Sequence, residues 1–281
     1  QKISTQEELV LKESESLLLN SRKKRIKPFF DSKVQTDLNC YWLYSNLYSS
    51  LILEDKDLYN KTMSSFDILN EKLKNNIFHC YNKNKNEIDV FLEDYVYYAL
   101  LLISLYELNN DKKSLDKCKK IMEEVWDLFF NKDNNLLQKN INKSNDLFVN
   151  PVDIADNNIP NGNSIYLLIC SKLNNITNDK NWSKKIDILS KSFNTYISFN
   201  FSQMFSYLKI LDICEENITV TLHGKTDEKL KKEILKKFMG NFSIIYKESE
   251  EEFFVVLCKN RTCSEKLKSL EQINEYITNN L

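Results

Sequence analysis

The sequence predicts a mainly α-helical chain in which helices follow one another in pairs, closed by a small α/β piece. Three observations carry that prediction. Between residues 37 and 214 apolar residues recur at helical spacing, in segments that alternate between apolar all round and apolar on one face. From about Asn217 the character changes to short β-rich runs around one charged amphipathic segment. Hydrophobic residues make up 42% and charged residues 28% of 281 positions, the composition of a chain that folds around a core.

The elements justify themselves in order. Gln6 to Arg25 is polar, carries Leu9, Leu17 and Leu18, and stops before Pro28, as a surface helix would. Asp37 to Leu53, "DLNCYWLYSNLYSSLIL", is apolar all round and reads as an inner helix. Leu58 to Leu73 places Met63, Phe66, Leu69 and Leu73 on one face and is its outer partner. After "IFHCYN", which has strand character, Phe91 to Leu108 and Ser114 to Phe130 repeat the alternation as a second hairpin. The turn signal "NKDNN" introduces two extended stretches, "LLQKN" and "DLFVN", expected to pair with each other. Helices over Ser164–Leu173 and Ile186–Phe199 complete a third hairpin, and Ser202–Cys214 adds one more helix. Then come a strand in "NITVTLHG", a helix over Asp227–Met239, strands in "FSIIY" and "FFVVL", and a closing helix over Leu267–Ile277. The domain division this implies is a helical-hairpin region over residues 1–215 and an α/β subdomain over residues 216–281.

Charge and cysteine usage narrow the function classes. With 39 basic and 40 acidic residues interspersed, the chain has no nucleic-acid footprint. Its densest basic cluster, "RKKRIK" at Arg22 to Lys27, sits where cations suit the end of a helix. Seven scattered cysteines, an odd number without CxxC, suit a reducing compartment, so a cytoplasmic location is expected. The run "YVYYALLLISLY" is flanked by acids and too short for a membrane span. The opening "QKISTQEELV" has neither an initiator Met nor a signal-peptide layout, which suggests a fragment.

Four segments together carry a resemblance. "FDSKVQTDLNCYW", "FLEDYVYYALLLISLYE", "DNNIPNGNS" and "VVLCKNRTCSEKLKSLEQI" are similar, in order and spacing, to motifs of the spermatogenesis-associated, thioredoxin domain-containing proteins. That resemblance implies a partial α/α toroid of helical hairpins, six-hairpin glycosidase-like, with a thioredoxin-like domain as N-terminal partner outside this chain. Departures are Leu38 and Cys40 where the family has Trp and Gly, Asn161 for a serine, and Lys266 for a proline.

In such a toroid the N-terminal ends of the inner helices face a central funnel, where free backbone N–H groups collect. Three segments open or precede inner helices: Asp31 to Asn39, Phe91 to Tyr95, and Asp156 to Ser164. Paired carboxylates serve sugar chemistry, so Glu93, Asp94 and Asp156 are the candidate catalytic acids. Asp31, Lys33, Asn39, Tyr95 and Asn163 are candidate substrate-binding groups for a carbohydrate or polyol, with Tyr41 and Trp42 as further walls. A plainer reading makes Glu93 and Asp94 first-turn acids, and Asn163 or Ser164 an N-cap, with Gly162 at positive φ behind Pro160. No metal site and no cofactor is expected: Cys258 and Cys263 lack zinc spacing and read as buried thiols, while "HGKTDEK" lacks the upstream glycine of a phosphate loop. His79 reads as structural, and with only His223 besides, an epimerase-type pair of histidines is not available. Two function classes remain: a sugar-processing enzyme or its remnant, and a non-catalytic module that recognises clients for the thioredoxin-like domain.

Overall fold

The computed structural model describes residues 4–82, 85–86, 90–141, 150–225, 227–260 and 262–280. It divides into two compact units, residues 1–33 and residues 34–281. In the first, helix α1 (Thr5–Lys23) opens with a capping box: the Ser4 N–H donates to Glu7 Oε2 at 2.8 Å and the Glu7 N–H returns to Ser4 Oγ at 3.4 Å. Its leucines Leu9, Leu17 and Leu18 are exposed.

The second unit is mostly helical, with the predicted α/β piece at its end. Helices α2 (Thr36–Leu53) and α3 (Lys56–Lys72), α4 (Leu92–Asn109) and α5 (Lys112–Phe129), and α6 (Gly162–Thr177) and α7 (Lys180–Asn200) form three successive hairpins. Helix α4 packs on both α2 and α6, so α2, α4 and α6 make an inner row, each backed by its own outer partner. All but two residues of α4 are buried, which is why its sequence is apolar all round; α5 buries only one stripe, including Cys118, Ile121, Met122, Val125 and Phe129. A single-turn 3-10 helix (Phe201–Gln203) leads into α8 (Phe205–Glu216).

The three hairpins turn by one device. Each inner helix ends on a left-handed residue, Glu54, Asn110 or Asn178, at φ 57°, 56° and 55°. The next residue is an aspartate that caps the outer helix: Asp55 accepts from the Leu58 N–H at 2.9 Å, Asp111 from the Lys113 N–H at 3.0 Å, and Asp179 from the Asn181 N–H at 2.9 Å. A chain with 3 glycines thus leaves two of these left-handed positions to Asn, the residue after Gly that tolerates them best.

Short strands lace the other end. Strands β1 (Val34–Gln35), β2 (Cys80–Asn82) and β3 (Lys85–Asn86) form an antiparallel ribbon beside the start of α2. Strand β4 (Phe130–Asn131) pairs with β5 (Leu136–Leu137). The pairing expected for "LLQKN" with "DLFVN" falls on residues 146–149, outside the described residues. In the C-terminal sheet the order is β7-β6-β8-β9, from β6 (Ile218–Lys225), β7 (Ser243–Glu252), β8 (Phe254–Lys259) and β9 (Thr262–Cys263). Strand β6 runs parallel to β7 through the crossover helix α9 (Glu228–Phe238), and helix α10 (Leu270–Asn280) closes the chain. The closing helix starts three residues later than its apolar pattern suggests, because Leu267 is held by a two-way backbone bridge to Val255.

One correction concerns cysteine. Cys258 and Cys263, expected as buried thiols, are register partners across β8 and β9 and form a disulfide. No described helix is long and apolar enough to cross a membrane.

A buried ion pair welds the sheet to the hairpins. Lys172 Nζ on α6 lies 2.6 Å from Glu107 Oε1 on α4 and donates to the Phe242 carbonyl at 2.7 Å. The Tyr246 hydroxyl of β7 donates to the Glu107 carbonyl at 2.7 Å. Burial pushes the Glu107 carboxyl up against the pull of Lys172.

Candidate functional site

At the N-terminal ends of the inner row, polar side chains knit the three helix starts into one rim. Asp94 reaches back as an acid at the third helical position: its Oδ2 accepts from the Phe91 N–H at 2.8 Å. Its Oδ1 accepts from the Asp37 N–H of α2 at 3.2 Å, so one carboxylate ties two helices. The Tyr97 hydroxyl on α4 donates to the Pro160 carbonyl ahead of α6 at 2.6 Å. Asn163, fully buried, accepts from the Leu137 N–H at 2.9 Å and donates to the Leu137 carbonyl at 2.8 Å, clamping β5 to α6.

The turn before α6 works differently from its expected form. Asn161, not Asn163 or Ser164, is the N-cap, accepting from the Ser164 N–H at 2.9 Å. Gly162 is already helical and is not among the residues at positive φ. What demands a glycine there is proximity: a Cβ would sit 3.0 Å from Leu92 Cγ and 3.1 Å from Glu93 Oε1. Helix α6 therefore begins directly against the start of α4.

Beside these starts lies a cavity of about 260 Å³, lined on its charged side by Asp37, His79, Glu93, Lys139 and Asp153. His79 Nδ1 faces both oxygens of Asp94, at 3.1 and 3.2 Å, with Asp94 fully buried behind it. Hydrogen bonding to Asp94 is the main cause that raises the His79 pKa above its ordinary value. Burial raises the Asp94 carboxyl, outweighing the opposite pulls of His79 and the Phe91 N–H. Glu93 is raised as well, chiefly by burial, which outweighs a backbone N–H bond and the pull of Lys139, with Asp153 and Asp94 adding to the rise. Its Oε2 is buried without a hydrogen-bond partner among the described residues. Lys139 Nζ pairs with Asp153 Oδ2 at 2.9 Å, which holds the ammonium charged.

The predicted residues divide sharply. Glu93 and Asp94 are in the site, one on the cavity wall and one behind it. Asp156 is not on the cavity wall: its Oδ1 accepts from the Asn161 N–H at 3.0 Å and its Oδ2 from the Ser206 N–H at 2.7 Å, so it clamps the turn to α8. Asn163 is a clamp for β5, and Asn39 donates to the Gln35 carbonyl of its own helix start at 2.7 Å. Tyr95 points to α5, where its hydroxyl donates to Glu124 at 3.3 Å and its ring packs on Phe129. Trp42 is 55% exposed, and Tyr41 packs on Tyr97. Asp31 and Lys33 belong to the first unit, where they pair with each other at 3.4 Å. Four wall residues, Asp37, His79, Lys139 and Asp153, were not singled out as ligands in the sequence. Only Asp37 carries a local signal, as the first-turn acid of an inner helix.

Asp37, His79 and Asp94 could each offer a metal one ligand atom, all within 4.8 Å of one another. Both oxygens of Asp94 already serve backbone N–H groups and the imidazole, so a cation would compete with the bonds that hold the rim.

No family model and no curated protein sequence matches the chain. Among solved structures it is similar to cellobiose 2-epimerase from Bacillus thermoamylovorans B4167, at 16% identity and a TM-score of 0.45 over 57% of this chain and 44% of that one. It is also similar to the GH76A α-1,6-mannanase from Salegentibacter sp. HEL1_6, at 17% identity and a TM-score of 0.43 over 67% of this chain and 54% of that one. The chain thus spans about half the length of either, and each likeness is one of fold.

Proposed function

We propose that the rim cavity binds a small polyhydroxylated ligand, a carbohydrate or polyol, and moves protons on it. Glu93 carries the reading: a carboxyl on the cavity wall with one oxygen buried and unpartnered among the described residues, sharing that wall with an imidazole backed by a buried carboxylate. The wall carries both donors and acceptors, in Lys139, Asn157, Asp37 and Asp153, which suits hydroxyl groups. Its volume lies just below the range of drug-sized sites, which favours a ligand of monosaccharide size.

The pKa directions assign the roles. His79, raised above the ordinary histidine value by its hydrogen bond to Asp94, is the donor. Glu93, raised by burial, is a stronger base than an exposed glutamate and is the acceptor. Proton transfer then follows a bell-shaped pH profile: the acid limb is the protonation of Glu93, and the alkaline limb is loss of the His79 proton.

The test is a titration of the intact chain with a panel of monosaccharides and polyols by calorimetry, with deuterium uptake from D2O at ligand carbons as the readout of proton transfer. Binding that survives Glu93→Gln, with exchange lowered at least about 100-fold, is expected. No binding across the panel, or exchange indifferent to both Glu93→Gln and His79→Gln, would overturn the reading.

A further inference from the structure

The rim does not use the disulfide. Cys263 is exposed on the edge strand β9 and Cys258 half-buried on its neighbour β8, and the bridge closes a loop of only four intervening residues. A loop that short removes little freedom from the unfolded chain, so the bond contributes little as a staple. The backbone beside it is held without sulfur. Lys259 pairs with Thr262, and the Ser264 N–H donates to the Leu257 carbonyl at 2.8 Å. The Leu257 N–H donates to Ser264 Oγ at 3.1 Å, and Val255 and Leu267 exchange N–H···O bonds at 2.8 and 2.9 Å.

The remaining thiols are set apart from this pair. Cys40, Cys80, Cys118 and Cys170 are buried and Cys214 is half-buried. Burial pushes the Cys40, Cys118, Cys170 and Cys214 thiols up, which keeps them protonated and unreactive. An opened bridge therefore has no neighbour with which to reshuffle.

We propose that Cys258–Cys263 is a thiol–disulfide exchange site, opened and closed in the folded chain by a dithiol reductant. One thiolate of the dithiol attacks the exposed Cys263 sulfur; the S–S bond breaks, and Cys258 leaves as a thiolate that takes a proton from water. The second thiol of the reductant then attacks the mixed disulfide and closes its own ring, releasing Cys263 as a thiol. Two electrons pass to the protein, and the reductant ends as a cyclic disulfide. The result is a two-electron couple carried by β8 and β9 while their backbone bonds stay in place.

The experiment holds the full chain in dithiothreitol without denaturant, traps thiols with N-ethylmaleimide and maps the alkylated peptides. Reduction is expected to add two labels, on Cys258 and Cys263, relative to the unreduced chain, with the four buried cysteines unlabelled and the half-buried Cys214 the same in both. The cooperative melt should fall by no more than about 8 °C. Oxidised glutathione should restore the same bridge. Labels that appear only together with those on buried cysteines would mean that reduction requires unfolding, and would overturn the proposal. So would loss of the cooperative melt on reduction, or oxidation that yields stable glutathione adducts instead of the bridge. The double variant C258S/C263S should melt with the reduced parent; if it cannot fold, native-state labelling of the parent decides.

Discussion

The two ends of the inner helices solve opposite problems. At their C-terminal ends the three hairpin turns repeat one local device, and the charged pair Glu107–Lys172 is sealed and hydrogen-bonded. At their N-terminal ends the starts differ: α6 is capped by its own Asn161, whereas α2 and α4, capped by Gln35 and Phe91 without a side-chain bond, both lean on Asp94, and charged side chains face a cavity. Uniformity goes with turns closed by bonds among neighbours, while irregularity goes with helix starts tied to remote segments. The same kind of residue behaves differently in each place. Each leaves one buried oxygen without a hydrogen-bond partner among the described residues, but Glu107 is raised by burial against a directly paired lysine, whereas Glu93 is raised by burial on the wall of a cavity.

Breaking the sealed end should have the largest effect. Lys172→Met leaves Glu107 buried without its cation and should cost about 3 to 5 kcal/mol in denaturant unfolding. Ligand binding measured well below the melt should be retained, and its loss would dissolve the contrast between the ends. Asp94→Ala is expected to come next. It strands the Phe91 and Asp37 N–H groups and the His79 ring, at about 2 to 3 kcal/mol.

The same variant sharpens the pH behaviour. In the parent, Asp94 and His79 both have folded values above their ordinary ones, so the folded state binds protons more readily than the unfolded chain. The contribution of His79 is full below the ordinary histidine value of about 6.5 and fades as pH rises through its raised folded value. That of Asp94 fades likewise from the acid side. Unfolding titrated across pH should lose this slope in Asp94→Ala, and an unchanged slope would remove the pair from the account. The smallest effect is expected from Gly162→Ala, about 1 to 3 kcal/mol, since a methyl group presses on Leu92 and Glu93. Its signature is a changed Glu93 limb in the exchange profile, larger than the stability loss alone would produce.

Much of the helical fold was legible because its signals are local. Apolar residues at helical spacing mark α2 to α7, and "ED", "ND" and "ND" sit at the three hairpin turns. The rim was half legible. Glu93 and Asp94 advertise themselves as first-turn acids of a buried helix, but their partners do not. Asp94 meets the Asp37 N–H across 57 positions, and Asn163 meets Leu137 across 26. His79 looks structural in sequence because nothing nearby predicts a carboxylate behind it. Asp156 has the right residue type in the right loop, and only the positions of the Asn161 and Ser206 N–H groups show that its oxygens are taken. For Cys258 and Cys263 the missing fact was a two-residue strand, which sets the register that makes them partners.

The hairpin turns have a kinetic corollary. Each closes with bonds among immediate neighbours, so it can form early, before any remote segment has arrived. The rim, spliced from distant stretches, must wait for all of them and should be the first part to open again. Amide hydrogen exchange would read this as slow protons at the turns and fast ones at Asp37, Phe91 and Leu137; the reverse order would put assembly of the cavity first.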